Sequence, residues 1–579
     1  MNRLIPTSVL TVAASATLAG AQQQMSPFGI GTCHARGHSI GAVDTWLPQL
    51  REIDVRWYRT PPGPQMWDVE KNKGEWDFSK IDESIAHMEK NGMNFCVLLW
   101  GNGFNGDKGL PKNDLESWAE YVKRTVAHFK SKGKAGLYYE IWNEPPNFTA
   151  RGDTAKDYAL TVAAAYDAAK KADPTAKIGI AAKSVHINWL AHCIRLGAKN
   201  KFDWVSLHPY ETVNGVADCA GSDALYMSVV PTLRKMLKTL NPERANVPVI
   251  LTEIGCDAGK GEDTQADTLV KVYVMSIAQG IAQVQWFEAM DGDSGPMGLI
   301  DAQGRKRPAY HAYATMIKHF GQHPEYLGRV MLAEKHIGYA FKGANNMPLL
   351  VAWTQRKGET AEQSFGATEF DVVESRTGAV AKKRAVTLTN SPVFILNPPP
   401  ALLANARANK SKPFPWQGDY SAAKEVSISY AADGTIIEKG LHTASGEAIL
   451  KAVLLYGEGH AQVGYRDASK SGGETFICDP NFLSYKTGPI EIVITAQRQN
   501  PAQAAAIELE YEYDNPADPA GIHPYKKERR EIPEGDGWHE IKWPLTDAEF
   551  NGYWGFNFRF STGQFNVKNV SVRKRSQLR

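Results

Sequence analysis

Between Pro27 and about Phe320, short apolar runs of strand-forming residues alternate with longer stretches of helical periodicity. This alternation is typical of α/β proteins with a parallel sheet. Eight predicted strands in about 300 residues match a (β/α)8 TIM barrel, which needs about 250 residues plus insertions. A doubly wound open sheet is the alternative, but no Gly-rich turn follows the first strand, as a dinucleotide site requires. The predicted strands, which place the barrel over residues 26–320, are 28–31, 53–58, 94–100, 137–142, 177–181, 204–207, 249–252 and 284–287.

The pattern changes after the predicted barrel, because short strands then follow one another with turns and without helices. This predicts a companion antiparallel β-sandwich over residues 325–398. Residues 399–415 are rich in Pro, Ala and Lys, a composition that indicates a linker. A second all-β region, compatible with a jelly roll, fills residues 416–579. Its aromatic residues form either a carbohydrate-binding face or a sandwich core; they include Trp416, Tyr485, Trp538, Trp543 and Trp554.

The first residues predict export from the cytoplasm. Arg3 precedes an apolar stretch, and residues 19–21 fit a small-x-small cleavage pattern, so residues 1–21 read as a signal peptide. The protein is therefore expected to be secreted or periplasmic. No later segment offers eighteen uninterrupted apolar residues, and we predict no membrane span.

Charge and cysteine content narrow the function further. The 65 Lys and Arg residues nearly balance the 63 Asp and Glu residues, which leaves a net charge of +2 and argues against a nucleic-acid partner. The six cysteines include no Cys-x-x-Cys pair and no Cys/His cluster at zinc-site spacing, so we expect no metal and no other cofactor. Export permits disulfides, and Cys193 with Cys219 is one open pairing.

Two glutamates stand where a barrel places its catalytic groups, at the carboxyl ends of strands. Glu144 lies in the motif WNEP after the fourth predicted strand, and Glu253 lies in LTEIG at the end of the seventh. One such glutamate would be read as a surface or capping residue, because Glu is usually exposed. Two of them, on strands four and seven, indicate a pair of carboxyl groups that act together.

These motifs resemble those of clan A retaining glycoside hydrolases, which carry their catalytic glutamates on strands four and seven. The similarity is greatest to family 39, with relatives in families 5 and 42. The segments that carry it are EIWNEP at 140–145, TEIG at 252–255, SLHPY at 206–210, WDVE at 67–70 with GEWDF at 74–78, and GLID at 298–301 with RPAY at 307–310. The resemblance covers the barrel and extends to the companion sandwich, but it does not identify the C-terminal region.

The resemblance implies that Glu144 is the acid/base and Glu253 the nucleophile. Retaining hydrolysis needs two carboxyl groups about 5–5.5 Å apart, one neutral and one ionised. Two carboxylates this close raise each other's pKa, so Glu144 is expected to keep its proton near neutral pH.

The resemblance also implies residues that support this pair. Asn143 is expected to bond the 2-hydroxyl of the sugar, and Tyr210 to donate to the nucleophile. His208 either joins the same network or is an ordinary hydrogen-bonded core histidine. Arg56, at the end of the second predicted strand, is the residue assigned to support the nucleophile, although Arg59 is close enough in sequence to take the same role.

Other residues are expected to shape the sugar site. Trp286, on the eighth strand, is predicted to form the floor of the −1 subsite. Trp100 is a predicted platform for sugar rings, as are Phe104 and Trp142. Glu288 adds a third carboxylate near the mouth, which either binds a sugar hydroxyl or points away from it.

The sequence therefore predicts a secreted retaining glycoside hydrolase that cleaves β-glycosidic bonds in an oligo- or polysaccharide by double displacement. Both a β-xylosidase-like exo-enzyme and an endo-glycanase are compatible with these residues. The alternative is a catalytically silent polysaccharide-binding protein on the same fold, because a fold does not determine its function.

Overall fold

The computed structural model describes residues 25–575, except for 33–38, 60, 293, 417, 434, 444–463, 471–473, 486–487 and 516–524. The predicted signal peptide lies outside the described residues. None of the helices described combines the length and the apolar character that crossing a bilayer requires.

The N-terminal region is a closed barrel of eight parallel strands, as predicted. The barrel closes where β1 pairs with both β2 and β8, so that Ile30 lies opposite Tyr58 on one side and Trp286 on the other. Because helices cover the outside, the strands are buried on both faces and read as apolar runs. The strands are β1 (Phe28–Ile30), β2 (Trp57–Arg59), β3 (Asn94–Leu99), β4 (Tyr138–Ile141), β5 (Lys177–Lys183), β6 (Trp204–His208), β7 (Val249–Ile254) and β8 (Gln283–Trp286).

Amphipathic helices surround the barrel and bury their apolar faces against it. The helix that follows β4 begins after Thr154, because Thr154 and Asp157 form a capping box that satisfies its first backbone N–H groups. The helices of this region are α1 (Ile40–Asp44), α2 (Leu47–Glu52), α3 (Met66–Val69), α4 (Ser79–Lys90), α5 (Leu115–Ser131), α6 (Ala155–Ala172), α7 (Ile187–Cys193), α8 (Tyr210–Ala217), α9 (Asp223–Met227), α10 (Val229–Leu240), α11 (Glu262–Ala278) and α12 (Pro308–Phe320). Cys193 and Cys219 are both free, so the disulfide left open above does not form.

The companion domain is a sandwich of two antiparallel sheets. Six strands pair in the order β14-β13-β16-β11-β10-β9, and β12 pairs with β15. Leu350 of the larger sheet and Val386 of the smaller one belong to the same buried cluster, which joins the two layers. The strands are β9 (Glu325–Leu332), β10 (His336–Lys342), β11 (Pro348–Ala352), β12 (Ala361–Ser364), β13 (Phe370–Glu374), β14 (Val380–Lys383), β15 (Ala385–Leu388) and β16 (Val393–Leu396).

The segment predicted as a linker, residues 399–415, instead contains helix α13 (Pro400–Ala408). Pro is well suited to the first turn of a helix, and Leu403 and Ala406 bury their side chains in the companion sandwich. Gly328 of β9 passes so close to this helix that a Cβ there would lie 1.8 Å from the carbonyl oxygen of Ala406. The helix is therefore packed as part of the companion domain, and composition alone was misleading.

The C-terminal region contains a six-stranded and a five-stranded antiparallel sheet packed face to face. Their orders are β18-β17-β27-β22-β25, with β20 beside β27, and β19-β21-β26-β23-β24. Ile492 of the first sheet and Phe558 of the second belong to one apolar core. The strands are β17 (Glu425–Tyr430), β18 (Ile436–Lys439), β19 (Leu441–Thr443), β20 (Arg466–Asp467), β21 (Glu474–Cys478), β22 (Ile490–Arg498), β23 (Ala506–Glu512), β24 (Tyr525–Glu531), β25 (His539–Leu545), β26 (Phe558–Phe560) and β27 (Phe565–Lys574).

This C-terminal sandwich packs against the barrel. His192 of α7 lies 2.8 Å from a carboxylate oxygen of Asp514, and Leu225 of α9 shares an apolar cluster with Trp416 and Phe556. Of the aromatic residues proposed as a carbohydrate-binding face, Trp416, Tyr485 and Trp543 are buried, whereas Trp538 is half-buried and Trp554 is exposed. These five rings therefore do not form one exposed face.

Candidate active site

The mouth of the barrel brings the two strand-end glutamates together. One carboxylate oxygen of Glu144 and one of Glu253 lie within 4.8 Å of each other, and His208 lies within the same distance of both. The backbone of Glu144 adopts φ +43°, and that of Trp142 adopts φ +69°. Left-handed conformations cost about 1–3 kcal/mol for residues other than Gly, so the packing of this turn must hold Glu144 in place.

Gly255 explains how β7 and β8 approach each other beside Glu253. A Cβ at this position would lie 1.8 Å from the carbonyl oxygen of Phe287, a backbone atom that has little room to move. Only a glycine allows the chain to pass there. The glycine of the TEIG motif is thus a packing requirement of the catalytic end of the barrel.

Arg59 links the residues around Glu253. Its guanidinium donates from Nε to Glu140 Oε2 at 2.7 Å, from Nη1 to Glu253 Oε2 at 3.1 Å, and from Nη2 to Asn143 Oδ1 at 2.6 Å. Arg59 is buried, so these three bonds form in a site that excludes most water. Such charge-assisted bonds are among the strongest that side chains make.

Arg56, the residue assigned to this role from the sequence, lies elsewhere. Strand β2 begins only at Trp57, so Arg56 precedes the strand and Arg59 occupies its carboxyl end. The Arg56 side chain is 43% exposed and donates from Nε to Asp54 at 2.7 Å. The prediction for Arg56 is wrong because it depended on where the strand begins.

Glu140 forms the polar base of the site, a role that the sequence did not predict. It is fully buried and accepts hydrogen bonds from Arg59, from Ser206 Oγ at 2.7 Å and from Thr252 Oγ1 at 2.8 Å. Burial alone would raise the pKa of Glu140, but the positive charges of Arg59 and His208 outweigh it and hold that pKa below its ordinary value. Glu140 is the first residue of the EIWNEP motif, and this position was the only indication of its role that the sequence offered.

His208 bridges the site from β6. Its Nδ1 lies 2.8 Å from Glu144 Oε1, and its Nε2 lies 2.8 Å from Thr252 Oγ1. Burial acts to lower the pKa of His208, but the charge of Glu253 and the bond to Glu144 raise it above its ordinary value. His208 is therefore stabilised in its protonated form beside two carboxylates.

The same contact corrects the expected pKa of Glu144. Burial raises the pKa of Glu144, but the hydrogen bond and charge of His208 outweigh burial, and the pKa lies below its ordinary value. The expectation that Glu253 would keep Glu144 protonated by repulsion is wrong for this state, because His208 lies between them. His208 Nδ1 and Glu144 Oε1 lie 2.8 Å apart, within hydrogen-bonding distance.

Tyr210 completes the surroundings of Glu253. Its hydroxyl donates to Glu253 Oε1 at 3.0 Å, while Arg59 donates to the other carboxylate oxygen. Burial and then the charges of Glu253 and Glu144 raise the pKa of Tyr210 well above its ordinary value, so it remains a donor. Both oxygens of Glu253 are thus held by donors.

Aromatic rings line the mouth on the side of β2, β3 and β4. Trp100, half-buried after β3, lies with its ring centre 5.6 Å from that of Trp67 and 6.0 Å from that of Phe148. Trp67 is 41% exposed and Phe148 is 48% exposed, and the sequence did not single out either. Trp142 is fully buried and donates from Nε1 to the carbonyl of Phe148, so it supports this wall from behind.

Two residues of the β8 segment do not take their predicted places. Trp286 is fully buried, and its ring lies 6.5 Å from that of Tyr273 on the surrounding helix α11, so it does not form the floor of the mouth. Phe287, the next residue, follows the end of β8 and is also buried. Glu288 is also fully buried, and it accepts a hydrogen bond from the backbone N–H of Gly292 at 3.1 Å. It anchors the loop after β8.

Comparison with known proteins supports the motif-based interpretation. The family model of glycosyl hydrolases family 39 matches residues 72–318. The predicted resemblance to family 39 is confirmed. A family 39 glycoside hydrolase from Bacteroides cellulosilyticus WH2 superposes with a TM-score of 0.52 at 18% identity, covering 64% of this chain and 81% of that one. A comparison with curated protein sequences gave no match.

A second solved structure extends over more of the chain. A monomeric beta-xylosidase from Caulobacter crescentus CB15 covers 95% of this chain and 97% of its own, at 13% identity and a TM-score of 0.45. The family match supports a glycoside hydrolase, an enzyme that acts on a carbohydrate, and the closed barrel followed by antiparallel sheets agrees with the fold of the family 39 structure.

The site also contains a group with the geometry of metal ligands. Within the described part of the chain, this group is Glu144, His208 and Glu253. Arg59 already donates to Glu253, so its positive charge would oppose a cation bound there. The donor set therefore suits proton transfer and nucleophilic attack better than it suits a metal ion.

Proposed function

We propose that the protein is a retaining glycoside hydrolase that cleaves β-glycosidic bonds in an oligo- or polysaccharide by double displacement. Glu253 is the nucleophile and Glu144 the acid/base. The observation that carries this proposal is the pair of carboxylates within 4.8 Å of each other, one held by two donors and one bonded to a buried histidine. Inverting enzymes place their carboxyl groups about 6.5–9.5 Å apart to admit a water molecule.

In the first step, Glu253 attacks the anomeric carbon while the bond to the leaving oxygen breaks. Arg59 and Tyr210 donate to the two oxygens of Glu253 and so fix the orientation of the carboxylate. The proton goes through Glu144 to the leaving oxygen. Asn143, oriented by its bond to Arg59, is placed to bind the 2-hydroxyl of the sugar.

In the second step, water replaces the leaving group. Esterification removes the negative charge of Glu253, which is the main influence raising the pKa of His208 against burial. Glu144 then accepts a proton from water, and the water oxygen attacks the same carbon from the opposite face to the first attack while the ester bond to Glu253 breaks and releases its carboxylate. Two inversions give net retention.

Substrate and location follow from the same reasoning. The exposed rings of Trp67 and Phe148 suit the flat faces of sugars, and a β-xylosidase-like or endo-glycanase specificity fits them equally. The pattern of residues 1–21 supports action outside the cytoplasm.

The test begins with a panel of aryl β-glycosides that includes 4-nitrophenyl β-D-xyloside. Glu253→Ala should abolish turnover, and added azide should restore part of it by giving a glycosyl azide. Glu144→Ala should retain most of the first step on substrates with good leaving groups, because these need no proton. Proton NMR of the first product should show the retained anomer.

Glu288→Gln is the matched control, because it changes another buried glutamate near the mouth while keeping an acceptor for Gly292. It should remain close to wild type. An inverted first product would refute the role of Glu253. No turnover on any glycoside, together with retention on polysaccharide, would indicate the silent binding protein instead.

A further inference from the structure

A loop of the C-terminal sandwich, residues 550–557, reaches the catalytic end of the barrel. The ring of Tyr553 lies 4.2 Å from that of His186, in the connection between β5 and α7. A Cβ on Gly555 would lie 3.3 Å from the carbonyl oxygen of Glu211, the second residue of α8. Both barrel residues follow the carboxyl ends of their strands, so the loop lies on the face that carries the proposed catalytic pair.

The loop contacts the connection after β5, the strand next to the one that Glu144 follows. Tyr553 is buried, and burial, followed by the negative charges of Glu211 and Glu144, raises its pKa above the ordinary value. Glu144 comes after β4, and the barrel connection that Tyr553 contacts comes after the neighbouring strand β5. The loop therefore adjoins the acid/base from the side of β5 and β6.

Buried hydrogen bonds hold this loop in one conformation. Glu512 is fully buried and accepts the backbone N–H groups of Asn551, Gly552 and Tyr553 at 2.7, 2.9 and 3.1 Å. The side chain of Asn551 then donates to Asn188 of the barrel at 2.8 Å. The loop is therefore fixed both to its own domain and to the barrel, as a preorganised binding surface should be.

The loop presents an exposed ring at its tip. Trp554 is 41% exposed, and its ring stacks on that of Tyr525 at 4.8 Å and 19°. Among the described residues, the large aromatic side chains classed as exposed are Trp67, Phe148 and Trp554. Trp67 follows β2 and Phe148 follows β4, and the loop of Trp554 lies against connections that follow β5 and β6, so all three belong to segments at the carboxyl end of the barrel.

We propose that the C-terminal sandwich completes the leaving-group side of the cleft, with Trp554 stacking on a sugar unit beyond the scissile bond and Tyr553 positioning that ring. This inference rests on the proposed function, because Glu144 marks the side on which the leaving oxygen is protonated. The occupant is a pyranose unit of the substrate chain. The C-terminal domain is then part of the active site and not an independent binding module.

The experiment compares two substrates of the same sugar that differ on the leaving-group side. β-Xylosyl fluoride releases only fluoride, whereas xylotriose places sugar units on that side; if the aryl glycosides reveal another sugar, its fluoride and trisaccharide replace them. Trp554→Ala should lower kcat/KM on the trisaccharide by about tenfold and change it less than about twofold on the fluoride. Trp554→Phe, which keeps a ring, should recover most of the loss.

Trp538→Ala is the matched control, because Trp538 lies in the same domain and its ring contacts Tyr465 and Lys568. It should leave both substrates unchanged. Equal losses on both substrates for Trp554→Ala, or no loss on either, would overturn the inference while the wild-type activity stands. A wild-type protein that cleaves neither substrate would instead refute the proposed function, and this inference with it.

Discussion

Replacing Arg59 tests the buried charge network on which the proposed nucleophile depends. Arg59→Met keeps much of the side-chain volume but removes three hydrogen bonds and the positive charge. It leaves the fully buried carboxylate of Glu140 without its partner at 2.7 Å, and His208 is then the nearby cation, at 3.9 Å. Arg56→Met is the matched control, because it removes the same residue type from a partly exposed pair with Asp54.

Arg59→Met should lose several times more unfolding free energy than Arg56→Met. Removing one partner of a buried ion pair costs about 3–5 kcal/mol, whereas an exposed pair contributes about 0–1 kcal/mol. For a barrel of about 300 residues, the first value corresponds to roughly 5–15 °C in Tm. The double variant Arg59→Met with Glu140→Gln also removes the buried negative charge of Glu140. It should recover more than half of the Tm that Arg59→Met loses.

Differential scanning calorimetry of the barrel transition provides the measurement, with hydrogen exchange of peptides that cover β4 as a local check. The deficit of Arg59→Met should be largest near neutral pH and shrink on acidification. In the wild type, the lowered pKa of Glu140 contributes stability above its unfolded pKa, and this contribution is lost as pH falls. Equal small losses of Tm in Arg59→Met and Arg56→Met, or no recovery of Tm in the double variant, would refute the claim that Arg59 stabilises a buried charge network.

Two further predictions concern the same end of the barrel. Gly255→Ala places a Cβ 1.8 Å from the carbonyl of Phe287, so it should lower Tm far more than Gly31→Ala, whose Cβ would lie 3.8 Å from the nearest atom; similar Tm values would contradict the packing argument. Glu253→Gln removes the charge that does most to raise the pKa of His208 against burial, so this pKa should fall. NMR titration of the ring protons, assigned with a His208→Gln variant, measures it, and an unchanged or higher pKa would count against the coupling.

Local patterns were sufficient to predict the barrel and its two glutamates. Each strand and helix is encoded in the spacing of apolar residues over a short window, so all eight barrel strands were located from the sequence. Glu144 and Glu253 were recognised for the same reason, since a motif of four or five residues records both the strand and the turn that ends it. Glu140 lay inside one of these motifs without being recognised as the polar base of the site.

Predictions that depended on a boundary or a side-chain direction were less secure. Arg56 was preferred to Arg59, and Trp286 was assigned to the floor of the mouth. Both assignments failed because the end of a strand and the face that each residue presents are set by pairing with neighbouring strands. Helix α13 was missed because the Pro-rich composition of the segment concealed a helix that forms by packing against β9.

The amino-acid sequence was enough to establish the fold class, the carboxylate pair and the resemblance to family 39, because these are written in contiguous residues. The contact between Glu144 and His208, and the position of the loop that carries Trp554, became visible only in three dimensions. Asn551 and Asn188 are 363 residues apart in the chain, and their contact arises because buried surfaces of two domains fit together. No periodicity or motif records such a contact, since its energy comes from burial and hydrogen bonding between elements that each fold for their own local reasons.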